Sequence, residues 1–319
     1  MIRYVLQRIL WLIPVIIAVS LLVFLLMELA PGTVIDAMQS EDMTPEQRQE
    51  LIERYNLDKS VFYRYGVYML NLLKGDLGKS EIRKVDVWSE FIQRLPNTLA
   101  LAFTSLLIGA TVSIPLGIFA SRHAGSIADN AVTVFSLIGM SMPIFWLGLL
   151  LLLLFSYRLG WLPAGGNREG VRSIILPAIC GSLGMIANTA RQTRSNMLEV
   201  LHADFLRTAR AKGVPESVVI RKHALGNAWI PILTTIGIGL SAQLAGSVVI
   251  ETVFAWPGIG RLAVEAVTQR DVTMATGVII LTSIMYVLVQ LAVDLLYAFV
   301  DPRIKAQYVK YSRKGKRAG

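Results

Sequence analysis

Gly78-Lys79-Ser80, three histidines (His123, His202, His223) and Asp294, set in a long apolar run, are the residues of this chain whose types suggest chemistry. Gly-Lys-Ser ends a phosphate-binding loop, but that motif needs a glycine five residues before Gly78, and position 73 is leucine. A turn is expected there instead. No spacing puts two of the histidines on one helix face and no second ligand set surrounds them, so no metal site is expected. No Ser-His-Asp arrangement and no supported carboxylate pair occurs. The chain is therefore read as a non-enzyme, with no catalytic residue and no cofactor. Intramembrane acids suggest proton relays. Asp294, however, precedes a helix-ending Asp301-Pro302-Arg303 by seven residues and is expected to face polar neighbours near the membrane surface.

A different kind of candidate is the polar stretch DFLRTARAKGVPESVVIRKHALGNA, residues 204 to 228, which carries five basic residues between two apolar runs. Residues 196 to 211 read as one helix, with Leu198, Leu201, Phe205 and Thr208–Ala209 forming a modest apolar stripe and Arg207 and Arg210 on its flanks. Gly213 can take the left-handed geometry that ends a helix, and Pro215 suits the first turn of the next. That second helix, 216 to 229, leads straight into an apolar run. A partner gripping the first helix would move the second. Composition alone allows a plain solvated basic loop equally well.

The elements that position this stretch are membrane spans. The chain has 319 residues, 54% of them hydrophobic, and a mean hydropathy of +0.55. Runs 9 to 27, 99 to 121, 131 to 156 and 272 to 293 hold no charge, and each meets the roughly 20 apolar residues that a helix needs to cross a hydrocarbon core. Weaker runs at 173 to 190 and 228 to 250 are richer in Gly, Ser, Thr and Asn, as suits helices packed on other helices. The fold class expected is an all-α membrane protein with six transmembrane helices. The first run is too long for a signal-peptide core and no cleavage site follows it, so it is read as a span. The one cysteine, Cys180, lies in a predicted span and forms no disulfide framework. Ser141 and Pro143 mark a kink in the third span.

Six spans put both termini on one side. That side holds Arg3, Arg8, Arg122, the basic residues between 191 and 222, and the Lys/Arg-rich tail. The short loops opposite hold few, so both termini are expected to be cytoplasmic. The net charge of +9 is accordingly read as topology and as tail contact with anionic membrane lipid, with no nucleic acid as partner. In the long outer loop, Thr44-Pro45-Glu46-Gln47 reads as a capping box, and the aromatic stretch 61 to 73 as an interfacial helix. The last outer loop contains Phe254, Trp256, Pro257 and Gly258. There Pro-Gly and Gly260 are expected to break any helix and leave Leu262, Val264 and Val267 on a short amphipathic turn. A lid over the outer mouth and a packing plug both suit that loop.

Arg207-Thr208-Ala209-Arg210-Ala211-Lys212-Gly213, nine residues, then His223-Ala224-Leu225-Gly226 resembles the cytoplasmic loop of ABC importer permeases in its peptide and nickel version. Arg207, Thr208 and Ala209 occupy the Glu-Ala-Ala places of the general pattern and Gly213 its glycine. Arg207, Thr208 and Gly226 depart from the general consensus and match the peptide/nickel subgroup. RLPNTL (94 to 99), GDLGKS (75 to 80), ILPA (175 to 178), TRSNMLEVL (193 to 201), ETVFAWPGIGRL (251 to 262) and VDLLYAFVDPRI (293 to 304) extend the likeness over nearly the whole chain.

The resemblance implies a type I ABC importer transmembrane fold in a bacterial inner membrane. It divides the chain into an N-terminal span (1–29), an extracytoplasmic region with short helices (30–95), a transmembrane domain (96–301) and a basic cytoplasmic tail (302–319). The domain's spans would lie at about 99–121, 131–156, 173–190, 228–250 and 272–300, with the cytoplasmic loop at 191–227. Asp204, Phe205, Arg207, Thr208, Ala209, Arg210, Lys212, Gly213 and His223 would form an ATPase-coupling element. Two ATPase subunits, a second homologous permease subunit in a heterodimer and an extracytoplasmic substrate-binding protein would be its partners. Short peptides are the implied cargo, with nickel, a metal chelate or glutathione as the alternatives. A self-contained secondary transporter would show inverted repeats and several buried ionisable residues, which the sequence lacks.

Overall fold

The computed structural model describes residues 2–29, 35, 44–54, 56–80 and 82–300. The basic tail expected at 302–319 lies outside them. Among the described residues the regular structure is helical, apart from an isolated bridge between Lys79 and Asp86. In chain order the helices are α1 (Ile2–Leu29), α2 (Pro45–Arg54), α3 (Val61–Leu73), α4 (Val87–Arg122), α5 (Ile127–Ser141) and α6 (Ile144–Leu151). Then come α7 (Val171–Leu201), α8 (Asp204–Ala211), α9 (Leu225–Val253), α10 (Ile259–Thr268) and α11 (Val272–Val300). Widened π-helical turns extend α6 over Leu152–Arg158 and lead into α9 over Val219–Ala224.

Five helical stretches are long and apolar enough to cross a membrane, and a bent pair makes a sixth if it crosses as one span. That pair is the expected third span. It consists of two helices meeting at 104° rather than one kinked rod. Pro143 has no N–H to continue the α5 ladder, and its ring pushes Met142 into an extended conformation (φ −75°, ψ 126°). Pro14, Pro177 and Pro231 sit inside α1, α7 and α9 without ending them.

By packing, the chain separates into two units: residues 1–98 with 257–289, and residues 99–256 with those from 290 onward. In the first unit the capping box forms as read: Gln47 N donates to Thr44 Oγ1 at 3.3 Å and Thr44 N to Gln47 Oε1 at 3.0 Å. Tyr65 and Tyr68 of α3 each lie 5.4 Å, ring to ring, from Phe24 of α1, while Phe62, Leu70 and Leu73 stay exposed. The core of this unit gathers Val87, Phe91, Ile259, Leu262, Met274 and Val278. Gly78-Lys79-Ser80 is a turn: Gly78 has φ +80° and its N–H donates to Asp76 Oδ1 at 2.8 Å. The Ser80 hydroxyl donates to buried Asp271, whose other carboxylate oxygen accepts from Met274 N at 3.0 Å and so caps α11.

In the second unit α7 is the central helix, with α5, α6 and α9 packed on it. Two glycines of α4 allow close approach to α7. A Cβ at Gly109 would lie 2.7 Å from Met185 Sδ, and one at Gly117 would lie 2.7 Å from the Ala190 carbonyl. Arg194 of α7 grips Asp129 of α5 in a bidentate pair through one guanidinium edge, Nε donating to Oδ1 and Nη2 to Oδ2 at 2.6 Å. Asp129 is 1% exposed and also accepts from Gly125 N at 2.9 Å, so the turn between α4 and α5 is tied to α7. Removing one partner of a buried pair strands the other charge. Asp129→Ala is therefore expected to destabilise the detergent-solubilised protein by about 2–3 kcal/mol, below a fully buried pair because the guanidinium keeps some water contact. Thermal unfolding beside Arg194→Lys measures it.

Candidate functional site

The polar stretch folds as a short rod on a rigid base. α7 does not continue to residue 211 as its apolar spacing suggests. It stops at His202, and Ala203 is extended (φ −73°, ψ 142°), so α8 starts afresh at Asp204 with a shifted phase. The shift corrects the expected stripe: Leu206 is fully buried, whereas Phe205 is 45% exposed. Leu206 packs with Met197 of α7, with Val219, Ile220 and Ala224 of the widened turn, and with Ala228 and Ile232 of α9. Arg210 Nη2 donates to Glu216 Oε1 at 2.9 Å and Nε to Oε2 at 3.1 Å, closing the turn between the rod and its base.

Gly213 makes that turn possible. It has φ +74°, the left-handed conformation, and its N–H donates to Arg210 O at 3.0 Å, capping α8. Nothing lies within 4 Å of a Cβ built there, so the glycine serves backbone geometry rather than space. Pro215 then precedes the helical turn Glu216–Val218. The outward surface of α8 carries Asp204, Phe205, Arg207, Thr208 and Arg210, followed by exposed Lys212; Ala209 is half-buried. His223 is half-buried in the widened turn behind them, where its carbonyl accepts from Asn227 Nδ2 at 2.7 Å.

At the opposite end of α9, Phe254 and Trp256 are buried in the second unit with Leu101, Leu176, Cys180 and Ile250. Ala255 between them has φ +48°, a costly conformation for alanine. The Phe254 carbonyl accepts from Gly166 N at 3.0 Å, and a Cβ on Gly165 would lie 2.4 Å from that oxygen. Pro257 and Gly258 belong to the first unit. There the Pro257 carbonyl accepts from Asn97 Nδ2 at 2.9 Å, and Thr98 Oγ1 caps Ile259 N at 2.8 Å. That cap overturns the expected short turn: α10 runs ten residues through Gly260. Ile259, Leu262 and Ala266 are its buried stripe, and Val264 and Val267 face outward. Asn97 and Thr98 lie in the quoted RLPNTL motif, but nothing local revealed that they cap a helix some 160 residues away.

Glu265, half-buried on α10, collects three arginines: Arg83 Nη2 at 2.7 Å, Arg261 Nε at 2.7 Å and Arg94 Nη1 at 3.7 Å. Burial pushes its pKa up, but the Arg83 hydrogen bond and the charges of Arg261, Arg94 and Arg83 outweigh that and hold it below the ordinary 4.5. Asp294 has the polar neighbourhood expected of it. It accepts from Gln290 Nε2 at 3.3 Å, and Gln290 Oε1 accepts in turn from the Ser241 hydroxyl at 2.5 Å.

Residues 113–306 match the model of the binding-protein-dependent transport system inner membrane component, and residues 1–102 match its N-terminal companion. The chain belongs to this family of ABC importer permeases. It is 38% identical to the oligopeptide transport system permease protein AppB of Bacillus subtilis, over 96% of this chain and all of that one. It is 38% identical to the di/tripeptide permease DppB of Pseudomonas aeruginosa, again over 96% and 100%. With the dipeptide permease DppB of Escherichia coli it shares 36%, over 96% and 99%. Its fold resembles that of the MetNI methionine ABC transporter in inward-facing conformations, at a TM-score of 0.56 and 22% identity, covering 66% of this chain and 96% of that one. The permease is a multi-pass inner-membrane translocation subunit rather than an enzyme.

Two outcomes follow for this permease. Leu206→Ala is expected to cost about 2–5 kcal/mol in thermal unfolding, whereas Phe205→Ala changes stability by less than about 1 kcal/mol. For Glu265 the folded pKa lies below the unfolded one. Its ion pairs therefore stabilise fully above the ordinary glutamate value and are lost as pH falls through the depressed one. Unfolding scans from about pH 6 down to about pH 3 should show stability falling below the ordinary glutamate value, by less in Glu265→Gln.

Proposed function

We propose that this permease forms one half of the pathway of an ATP-driven importer for short peptides, and that α8 is where nucleotide-driven motion enters it. The observation that carries the reading is the architecture of α8. Its polar face and Phe205 are free, while Leu206 and the Arg210–Glu216 pair fix it to the base of α9. An exposed short helix with a protruding aromatic suits a groove on a partner, and its rigid seat lets displacement pass into α9. The peptide cargo is carried over from the relatives that are named for oligopeptides, di/tripeptides and dipeptides.

In this reading the chain works with two ATPase subunits, a second homologous permease and an extracytoplasmic binding protein. Both termini face the cytoplasm. Residues 1–29 anchor the chain, 30–95 lie outside, 96–301 form the transporting domain and 302–319 rest on the inner lipid surface. Phe254, Trp256, Pro257 and Gly258 stand at the outer end of α9. The burial of Phe254 and Trp256 supports a packing role for those two, which would hold the outer gate in register. Reversing a conformational equilibrium from 1:99 to 99:1 takes about 5.5 kcal/mol of differential binding. A pliable turn at Gly213 would dissipate it.

Gly213→Val, strained at φ +74°, is expected to leave the permease in the membrane with ATP hydrolysis no longer coupled to uptake. Uptake at the wild-type rate would refute the assignment. Crosslinks from a cysteine at Phe205 or Arg207 should reach an ATPase subunit. Labelled dipeptide uptake, compared with labelled nickel and glutathione in cells lacking this chain, decides the cargo.

A further inference from the structure

α3 is packed on one side only, yet it is apolar on both. Tyr65 and Tyr68 turn to α1 and Leu72 to the core of the first unit. Phe62, Leu70 and Leu73, turned away from them, are 69%, 61% and 82% exposed. The one charge of this helix, Arg64, shares a narrow edge with Asn71, seven residues on. A helix that lies on a membrane surface carries a broad charged face, whereas one apolar nearly all round is enclosed by protein or lipid.

The contacts with α1 set the depth of α3. The charge-free run of α1 is Ile9–Met27, bounded by Arg8 and Glu28, and Ile17 lies one residue from its middle. The Tyr65 hydroxyl donates to the Ile17 carbonyl at 3.1 Å and lies 3.0 Å from Ser20 Oγ. Met69, one turn further along α3, brings its Sδ to 3.8 Å from the same Ser20 Oγ. A tyrosine at headgroup level keeps its hydroxyl among water and polar lipid. Tyr65 directs it instead toward the middle of a span, where a hydroxyl away from water needs a protein partner. At these levels α1 itself leaves Leu22 and Leu26 uncovered, 56% and 57% exposed.

From this geometry we infer that α3 is sunk in the hydrocarbon of the leaflet where α1 ends, and that acyl chains of that leaflet cover Phe62, Leu70 and Leu73. Thirteen residues make a helix of about 20 Å, too short to cross, so the chain enters and leaves through one surface. Exposed Lys59 and Lys74, just outside its two ends, mark that surface. The occupant is lipid because α1, on which α3 is seated, is a span whose own surface at this depth is apolar and open. One helix of the 30–95 region, expected at the interface, thus lies within the bilayer.

Spin labels decide this in the transporter purified whole through a tag on this permease and reconstituted in phospholipid vesicles, so that its protein partners are present. Nitroxides are placed on Leu70→Cys, on Leu22→Cys as the lipid reference and on Gln49→Cys of exposed α2 as the water reference. The parent chain, whose Cys180 is buried, gives the labelling background. Collisions of the Leu70 label with anionic chromium oxalate should fall at least about tenfold below those of the Gln49 label, because an anion is excluded from hydrocarbon. Collisions with oxygen should match those at Leu22. Chromium oxalate collisions at Leu70 nearer to those of Gln49 than of Leu22 overturn the assignment by placing the face in water. A Leu70 label shielded from both reagents overturns it by showing that protein covers the face. Should Leu70→Cys fail to assemble, Phe62→Cys is read in the same way.

Discussion

Leu206 holds α8 against the chain. An eight-residue helix has little stability of its own in water, because nucleation fixes several residues for one hydrogen bond. With a mostly polar surface, α8 persists as a defined rod because one leucine is fully buried among Met197, Val219, Ile220 and Ala224. The same contact joins the end of α7 to the start of α9. Everything proposed about motion entering through this loop depends on that junction behaving as one body.

A second constraint runs through the rest of the molecule. In hydrocarbon, unpaired polar groups are expensive, so charges and helix ends must find partners inside the protein. Asp129 is matched by Arg194, and Asp271 by Ser80 and the α11 N-terminus. Where α5 ends at Met142, α6 restarts at once, with Leu147 N donating to Pro143 O at 3.1 Å. The interruption leaves a chamber of about 430 Å³, lined by Met140, Met142, Met185 and glycines of α5, α7 and α9. A departure from regular helix beside a cavity suits a subunit that must let something through. Along α9 that chamber lies between the seat of α8 at one end and the buried Phe254 and Trp256 at the other.

Much of this was legible without coordinates. Charge-free runs near 20 residues marked the helices that can span, since length and hydropathy alone decide whether a helix can cross a bilayer. Thr44 and Gln47 announced a capping box because both partners lie within one turn. Gly213 and Pro215 marked the turn after α8 because left-handed backbone and helix starts have strong residue preferences. The likeness of residues 207–226 to a permease loop reached function directly.

What the sequence could not decide were the points set by partners far along the chain. Pro143 breaks its span while Pro14, Pro177 and Pro231 do not, because neighbouring helices determine whether a lost backbone bond is tolerated. Phe205 and Leu206 are adjacent apolar residues, and which one is buried turned on a single extended residue, Ala203, that shifts the helical phase. Gly260 reads as a breaker, yet α10 passes through it with Thr98 capping its start. Local periodicity and capping chemistry therefore determined which segments are helices, and length and hydropathy which of them can cross a membrane. Tertiary packing decided where those helices stop, which face turns inward and where space remains between them, because contacts between residues distant in sequence leave no local signal.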